Sequence, residues 1–235
     1  MTMHVGVVIF PGSNCDVDVF HVCQETLGVP VKYLRHGEKS VGEVDLVVLP
    51  GGFSYGDYLR PGAIAGYAPV MEAVEEHARR EGLVLGICNG FQVLTEVDML
   101  PGALYRNLSL QFRCVYTHVR VEGRRTPFTA NLAADKLLRL PVANGDGNYY
   151  ADRSTLQEME ENGQIIFRYT DHEGRLAPEA NPSGSMDNIA GVCNLEGNVL
   201  GMMPHPERAS HVLLGGEDGL EIFRSLLYYG EKYGV

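Results

Sequence analysis

A cysteine between two glycines is the feature of this sequence with the clearest chemical use. Cys88 lies in the string Gly-Ile-Cys-Asn-Gly at residues 86–90, directly after the apolar run 83–87. The run predicts a buried parallel strand, and apolar residues at helical spacing follow it. A nucleophile on such a strand-to-helix turn faces unpaired N–H groups, which stabilise its thiolate. The pattern therefore predicts a nucleophilic cysteine, with the N–H of Asn89 placed to receive an oxyanion.

A histidine and a glutamate near the other end of the chain could complete a catalytic triad. His205 and Glu207 lie two residues apart in Pro-His-Pro-Glu, after the apolar run 199–203. In extended backbone this spacing puts both side chains on one side. The carboxylate can then orient the imidazole while the imidazole takes the proton of a thiol. The alternative is a buried structural cysteine and an unrelated surface loop, since free cysteines are often buried. The two patterns together favour a triad.

A glycine pair at Gly51 and Gly52 follows a third apolar run, 46–49. Ligands of open α/β sheets collect beyond the carboxyl ends of the strands, so this turn is expected beside Cys88. An N–H without a neighbouring side chain at Gly52 could join that of Asn89 in holding an oxyanion. The alternative is ordinary turn chemistry. The stretch lacks the Gly-x-x-x-x-Gly-Lys-Ser/Thr pattern of a phosphate-binding loop, so nucleotide binding on this chain is not expected.

The elements that must position these residues alternate between strand and helix in the first half of the chain. This alternation predicts an α/β fold with a doubly wound, mostly parallel open sheet and flanking helices. The second half is β-like and predicts extra antiparallel strands on the same sheet, so residues 1–235 are expected to form a single domain. The predicted strands are 5–10, 31–34, 46–49, 83–87, 110–121, 136–142, 164–170, 189–194 and 199–203. The predicted helices start near Asp16, cover 63–80, follow Cys88 and cover 218–229; Val17 and Tyr67 are expected on buried faces.

Composition excludes several classes of function. The 235 residues are 45% hydrophobic, enough for a sizeable core, and carry a formal net charge of −11. This charge argues against nucleic acid or an anionic membrane as a partner. An odd number of cysteines without a paired spacing indicates a reducing compartment, and without a signal peptide or a membrane-length run a cytoplasmic location is expected. The cysteines other than Cys88 are expected to affect stability at most: Cys15, Cys23, Cys114 and Cys193.

Several strings together resemble a known family. The strings at residues 86–92, 204–207 and 50–57 are similar to those of class I, or triad, glutamine amidotransferases. Further strings at 10–16, 106–109 and 181–185 make the chain most similar to the family of glutaminase subunits of phosphoribosylformylglycinamidine synthase. The resemblance covers nearly the whole length. It implies hydrolysis of the side-chain amide of L-glutamine. The implied catalytic residues are Cys88, His205 and Glu207, with Gly52 and Asn89 as the oxyanion hole.

The resemblance also implies how the chain binds its substrate and its partners. Gln92, Asn107 and Phe112 are implied to hold the amino-acid end of glutamine. Ammonia is implied to pass to a synthetase subunit that makes formylglycinamidine ribonucleotide from formylglycinamide ribonucleotide in de novo purine biosynthesis, with a small accessory subunit in some organisms. No metal or cofactor is expected on this chain, whereas ATP and Mg are expected on the synthetase. One departure is Asn144, at a position where the family usually has histidine.

Two other functions remain open on the sequence alone. One is another cysteine-elbow α/β hydrolase, of the peptidase or deglycase type. The other is a non-catalytic binding subunit that keeps only the fold. The distant His-x-Glu pair and the Pro-Gly-Gly turn favour the glutaminase over the first, and the presence of all three triad residues argues against the second.

Overall fold

Strands from both halves of the chain lie side by side in one sheet. The structure, a computed structural model, describes residues 2–234. Its strands are β1 (Val5–Ile9), β2 (Val31–Arg35), β3 (Leu46–Leu49), β4 (Leu83–Ile87), β5 (Ala103–Tyr105), β6 (Arg113–Val121), β7 (Leu137–Asn144), β8 (Asn148–Tyr150), β9 (Ile165–Thr170), β10 (Ile189–Cys193) and β11 (Val199–Met202). Nine of them form a sheet in the order β2-β1-β3-β4-β11-β10-β9-β6-β7, and β5 pairs with β8.

The sheet has a parallel half and an antiparallel half. Each neighbouring pair from β2 through β1, β3 and β4 to β11 is parallel. From β11 onwards, every pair through β10, β9, β6 and β7 is antiparallel. The central strands β3 and β4 are buried at every residue, as expected of parallel strands covered on both faces. The predicted mixture of parallel and extra antiparallel strands is confirmed.

Five α-helices accompany the sheet in the described residues. They are α1 (Asp16–His21), α2 (Pro69–Arg79), α3 (Asn89–Glu96), α4 (Arg153–Glu161) and α5 (Leu220–Tyr233). The buried apolar residues of the helices and strands form a common core. Within residues 2–234, no helix has both the length and the apolar character needed to cross a membrane.

The helix predictions were wrong in three places. Helix α2 begins at Pro69 instead of residue 63, because proline favours the first helical position; Tyr67 lies in the short 3-10 turn before it and is 92% exposed. In α1, Val17 is exposed and Val19 is buried instead. The buried face continues from Val19 at α-helical spacing to Val22 and Cys23, in the π-helical turn (Val22–Thr26) that follows. Helix α4 was not predicted, although Asp152 caps its first turn.

Candidate active site

Cys88 lies on a sharp turn between β4 and α3. Its φ and ψ are 50° and −102°, outside the regions that most residues adopt, and the residue is 5% exposed. Both flanking glycines are required by packing. A Cβ at Gly90 would clash with the carbonyl oxygen of Leu49, and a Cβ at Gly86 would lie 2.8 Å from the backbone of Gly90. The predicted elbow geometry at this cysteine is therefore confirmed.

Strand β11 places His205 and Glu207 next to the turn that carries Cys88. It lies next to β4 in parallel register, and the N–H of Cys88 donates to the carbonyl of Met202 at 2.8 Å. The chain then turns at His205, whose N–H donates to the carbonyl of Pro141 at 2.8 Å. Nδ1 of His205 lies 2.6 Å from Oε1 of Glu207, and each residue is 1% exposed. Residues far apart in the sequence thus meet because two parallel strands end together.

The free nitrogen of the imidazole is the atom available to the thiol. Nε2 of His205 has no hydrogen-bond partner within the described chain. The thiol of Cys88 instead donates to the carbonyl of Ala143, with an Sγ–O distance of 3.7 Å. Catalytic hydrogen bonds are often long or unformed without substrate, and rotation about Cα–Cβ of the cysteine redirects the thiol. The site therefore contains a thiol, an imidazole and a carboxylate close together, as the sequence predicted.

The electrostatics of this buried group favour a protonated imidazole. Burial by itself lowers the pKa of His205, but the neighbouring Glu207 carboxylate and the Cys88 thiolate raise it by more. The pKa of His205 therefore lies well above its ordinary value. An imidazolium next to a thiolate is the arrangement that activates a cysteine nucleophile.

The Gly51–Gly52 turn approaches the site from β3. Gly52 has φ of +144°, and a Cβ there would lie 2.9 Å from the backbone of Ser13 and Asn14, so only glycine fits. The N–H of Phe53 is bonded to the carbonyl of Gly12 at 3.0 Å. Among the described residues, the N–H of Gly52 donates to no protein group. The turn thus packs against residues 12–14 and leaves the N–H of Gly52 without a protein acceptor in residues 2–234.

The side chain of Asn89 connects that turn to helix α3. Its Oδ1 accepts from the N–H of Ser54 at 3.1 Å. Its Nδ2 donates to Oε1 of Gln92 at 2.9 Å and to Oδ1 of Asp57 at 3.3 Å. Because Asn89 is the first residue of α3, its own N–H has no acceptor within the helix. The backbone N–H is therefore free, while the side chain is used for structure.

The predicted substrate-binding residues surround the loop that covers the thiol. Nε2 of Gln92 donates to the carbonyl of Asp146 at 2.7 Å. Asn107 accepts from the N–H of Gly147 and donates to the carbonyl of Asn144, each at 2.9 Å. The amides of Gln92 and Asn107 thus satisfy backbone groups of this loop. Phe112 is exposed at the edge of the loop, and its role in binding stays a prediction.

The departure at Asn144 has a structural explanation. Asn144 ends β7 as a buried residue, and its Oδ1 accepts from the hydroxyl of Ser183 at 3.1 Å. Its carbonyl accepts from Asn107. Asn144 therefore connects two loops through hydrogen bonds, and the imidazole near Cys88 belongs to His205.

Three polar residues for which the sequence predicted no part in the site also lie here, namely Asp57, Cys15 and Arg208. Burial and the charge of Asp146 raise the pKa of Asp57 to about 6, despite its hydrogen bond from Asn89. Cys15 lies with His205 and Glu207 in a group whose possible ligand atoms are within 4.8 Å of one another. Nη2 of Arg208 donates to Sγ of Cys15 at 3.0 Å. Cys15, His205 and Glu207 are the group of described residues whose atom types could hold a metal. The sulfur of Cys15, however, already accepts a hydrogen bond from the guanidinium of Arg208.

Comparison with known sequences gives one consistent result. A family model for the CobB/CobQ-like glutamine amidotransferase domain matches residues 2–215. A phosphoribosylformylglycinamidine synthase subunit PurQ from Moorella thermoacetica is 56% identical over 230 residues, which cover 98% of each chain. A subunit of the same name from Aquifex aeolicus is 52% identical, with 96% of this chain and 99% of the relative covered.

Comparison with solved structures agrees. A chain of the PurLQS structure from Thermotoga maritima matches with a TM-score of 0.86 and 40% identity, covering 97% of this chain and 99% of that one. A glutamine amidotransferase from the same organism matches with a TM-score of 0.58 at 19% identity, covering 100% of this chain and 86% of that one. The second match indicates a shared fold.

Proposed function

This chain belongs to the glutamine amidotransferase family, and we propose that Cys88, His205 and Glu207 form its catalytic triad. Its activity is that of the glutaminase subunit of phosphoribosylformylglycinamidine synthase, which releases ammonia from L-glutamine for purine biosynthesis. The observation that carries the triad is the buried imidazole–carboxylate pair beside a strained cysteine, at the shared end of β4 and β11.

The first half-reaction makes a thioester. The Cys88 thiol transfers its proton to Nε2 of His205, and the sulfur attacks the side-chain carbonyl carbon of glutamine. The carbon–nitrogen bond then breaks while the imidazolium gives its proton to the departing nitrogen, which leaves as ammonia. Glu207 holds the imidazole in one tautomer and stabilises its charge. General acid–base action of this kind contributes roughly 10²–10⁴-fold to the rate.

The second half-reaction returns the enzyme. Water gives a proton to His205 as its oxygen attacks the thioester carbon. The carbon–sulfur bond breaks, glutamate leaves, and the thiolate of Cys88 takes the proton back from the imidazolium. The same two side chains therefore serve in both steps, with their roles as acid and base exchanged.

The oxyanion formed in each step needs donors. We assign this role to the backbone N–H groups of Gly52 and Asn89, since neither donates to a protein acceptor in residues 2–234. The two residues also follow the carboxyl ends of the neighbouring parallel strands β3 and β4. One such donor contributes roughly 10²–10³-fold to kcat. Gln92 and Asn107 hydrogen-bond to the loop 143–147 beside the thiol. We propose that these two residues and Phe112 hold the amino-acid end of glutamine.

The ammonia passes to the synthetase subunit, in an assembly that also contains a small accessory subunit, as in the PurLQS complex. ATP and Mg act on the synthetase, and the chain works without a metal or cofactor of its own, in the cytoplasm. Loops at the active-site end carry large exposed apolar side chains, which are typical of a docking surface. They include Tyr58, Leu59, Leu108, Leu110, Phe112 and Leu213.

Labelling with a glutamine-like diazoketone tests the triad. We expect one label on Cys88, protection by glutamine, and loss of glutaminase activity in Cys88→Ala without unfolding. Cys114→Ala, which removes an exposed thiol, is the matched control and keeps both label and activity. Glutamate formation by Cys88→Ala at the parental rate would exclude Cys88 as nucleophile. Labelling without turnover in the complex would favour a non-catalytic subunit, and labelling that glutamine does not prevent would favour a peptidase-type enzyme.

A further inference from the structure

A second buried thiol lies behind the catalytic imidazole. Sγ of Cys15 is within 4.8 Å of a ring nitrogen of His205 and of a carboxylate oxygen of Glu207, and Cys15 is 1% exposed. Gly51 lies next to both the sulfur and the ring. A Cβ there would lie 3.0 Å from the sulfur and 2.7 Å from Cε1 of the ring. The thiol and Gly51 therefore pack together beside the imidazole.

The sulfur of Cys15 is itself held on two sides. Nη2 of Arg208 donates to it at 3.0 Å, and the thiol donates to Oδ1 of Asn14 at 3.1 Å. The guanidinium also lies near two carboxylates. Its Nε is 3.4 Å from Oδ2 of Asp18 and 4.0 Å from Oε1 of Glu207. Arg208 is thus bound to the sulfur and to Asp18, and it lies farther from the carboxylate of Glu207 than from either of them.

We propose that Cys15 is a positioning residue for the glutaminase reaction. It supports the edge of the imidazole, and its sulfur keeps the guanidinium of Arg208 away from Glu207. The inference rests on the proposed triad. A guanidinium that moved onto Oε1 of Glu207 would neutralise the charge that stabilises the imidazolium, because charge-assisted pairs of this kind are strong. The thiolate–imidazolium pair would then exist over a narrower range of pH.

Kinetics of Cys15→Ala in the complex with the synthetase subunit test the inference. We expect kcat to fall about 10- to 100-fold with little change in KM, because the base is misplaced while the substrate pocket is intact. The pH profile of kcat/KM should narrow from both sides. The hydroxyl of Cys15→Ser can still donate and accept a hydrogen bond. This variant should therefore keep most of the parental rate and both limbs of the parental pH profile.

A matched control separates positioning from stability. Cys193 is another buried cysteine whose sulfur lies near an arginine, with Nη1 of Arg124 at 3.9 Å. It lies beside the start of β11, away from the triad. Cys193→Ala should lower Tm without moving either pH limb. Parental kcat and pH limbs in Cys15→Ala, even with a lower Tm, would overturn the inference.

Two further variants keep the test decisive. If Cys15→Ala does not fold, Cys15→Val, which has a similar volume but no polar atom, carries the same expectation. In an Arg208→Met background, adding Cys15→Ala should leave the pH limbs in place, because no guanidinium remains to move. A profile that narrows in this double variant would contradict the proposed role. Activity of Cys88→Ala bears on the triad alone, so the two proposals fail separately.

Discussion

Oε1 of Glu207 lies 2.6 Å from Nδ1 of His205, and the two side chains are among the most buried polar groups of the chain. Only Pro206 separates them, so the pair is set by local backbone and needs no long-range contact to form. The fold determines where the pair lies. Because β11 is parallel to β4 and next to it, the pair lies at the end of β4, beside Cys88. The other oxygen, Oε2, has no partner in residues 2–234, so the carboxylate is held mainly through the imidazole.

The first prediction concerns this pair. Glu207→Gln keeps the volume but removes the charge that raises the pKa of His205, so both the tautomer and the imidazolium lose support. We expect kcat to fall roughly 10³–10⁴-fold, as for triads of this type. Alkylation of Cys88 by iodoacetamide near neutral pH should slow, because the thiolate is less stabilised. A parental alkylation rate together with parental kcat would exclude an orienting role for Glu207.

The second prediction concerns packing under the nucleophile. Replacing glycine by alanine inside a helix ordinarily stabilises it by about 1 kcal/mol. At Gly90 the new Cβ would overlap the carbonyl of Leu49, so we expect Gly90→Ala to lower stability by about 1–3 kcal/mol or to prevent folding. Thermal unfolding measures the change. Gly37→Ala is the control, since its Cβ would meet nothing within 4 Å. A raised Tm for Gly90→Ala would contradict the observed packing.

The third prediction concerns Asp57, whose pKa is raised from 3.8 to about 6 by burial and by Asp146. A raised pKa means that the folded state binds the proton more tightly than the unfolded chain. The contribution of this carboxyl group to the free energy of unfolding is therefore greatest below pH 4. It is lost as the pH rises through about 6. Asp57→Asn can still accept from Asn89 and should raise Tm by about 2–4 °C at pH 7.5, after allowing for solvent screening, and by little at pH 4.

Asp152 is a control for that experiment, because its pKa is shifted in the opposite direction from the pKa of Asp57. Hydrogen bonds from the hydroxyl of Ser154 and from Thr155 lower its pKa to about 2, and it caps α4. Its contribution to stability is present above pH 3.8 and is lost as the pH falls towards 2. Asp152→Ala should therefore lower Tm at pH 7.5. A lower Tm for Asp57→Asn at the same pH would show that the Asp57 charge is compensated in the folded chain.

The sequence predicted the local backbone at Cys88 and the proximity of His205 to Glu207 better than it predicted the helices. The elbow and the His-x-Glu pair depend on short-range patterns, in which glycine, proline and spacing fix the local backbone. In helix α1 apolar residues occupy more than one side, so two faces fit the helical period. Val17 faces solvent, and Val19 lies on the buried face instead. Short-range periodicity alone does not decide between two such faces.

Contacts between distant segments account for what the sequence could not supply. Cys15 and Arg208 are 193 positions apart and meet only because α1 packs beside the segment after β11. Gln92 and Asn107 were predicted from family resemblance, yet their hydrogen bonds to loop 143–147 depend on where β7 ends. Such pairings follow from the strand order, which short-range periodicity does not determine.

The last prediction concerns control by the partner subunit. We expect the isolated chain to hydrolyse glutamine slowly and to become active when it docks on the synthetase. Gly52 has a backbone that only glycine adopts, and its free N–H belongs to a turn next to exposed Phe53, so docking can reorient this donor. Gaining one oxyanion donor is worth roughly 3 kcal/mol in the transition state, or about a hundredfold in kcat, with KM nearly unchanged. Steady-state glutaminase assays with and without the synthetase and its nucleotide substrates measure this, with the Cys88→Ala complex as the blank. Full activity of the chain alone, unchanged in the complex, would show that the oxyanion site is already assembled.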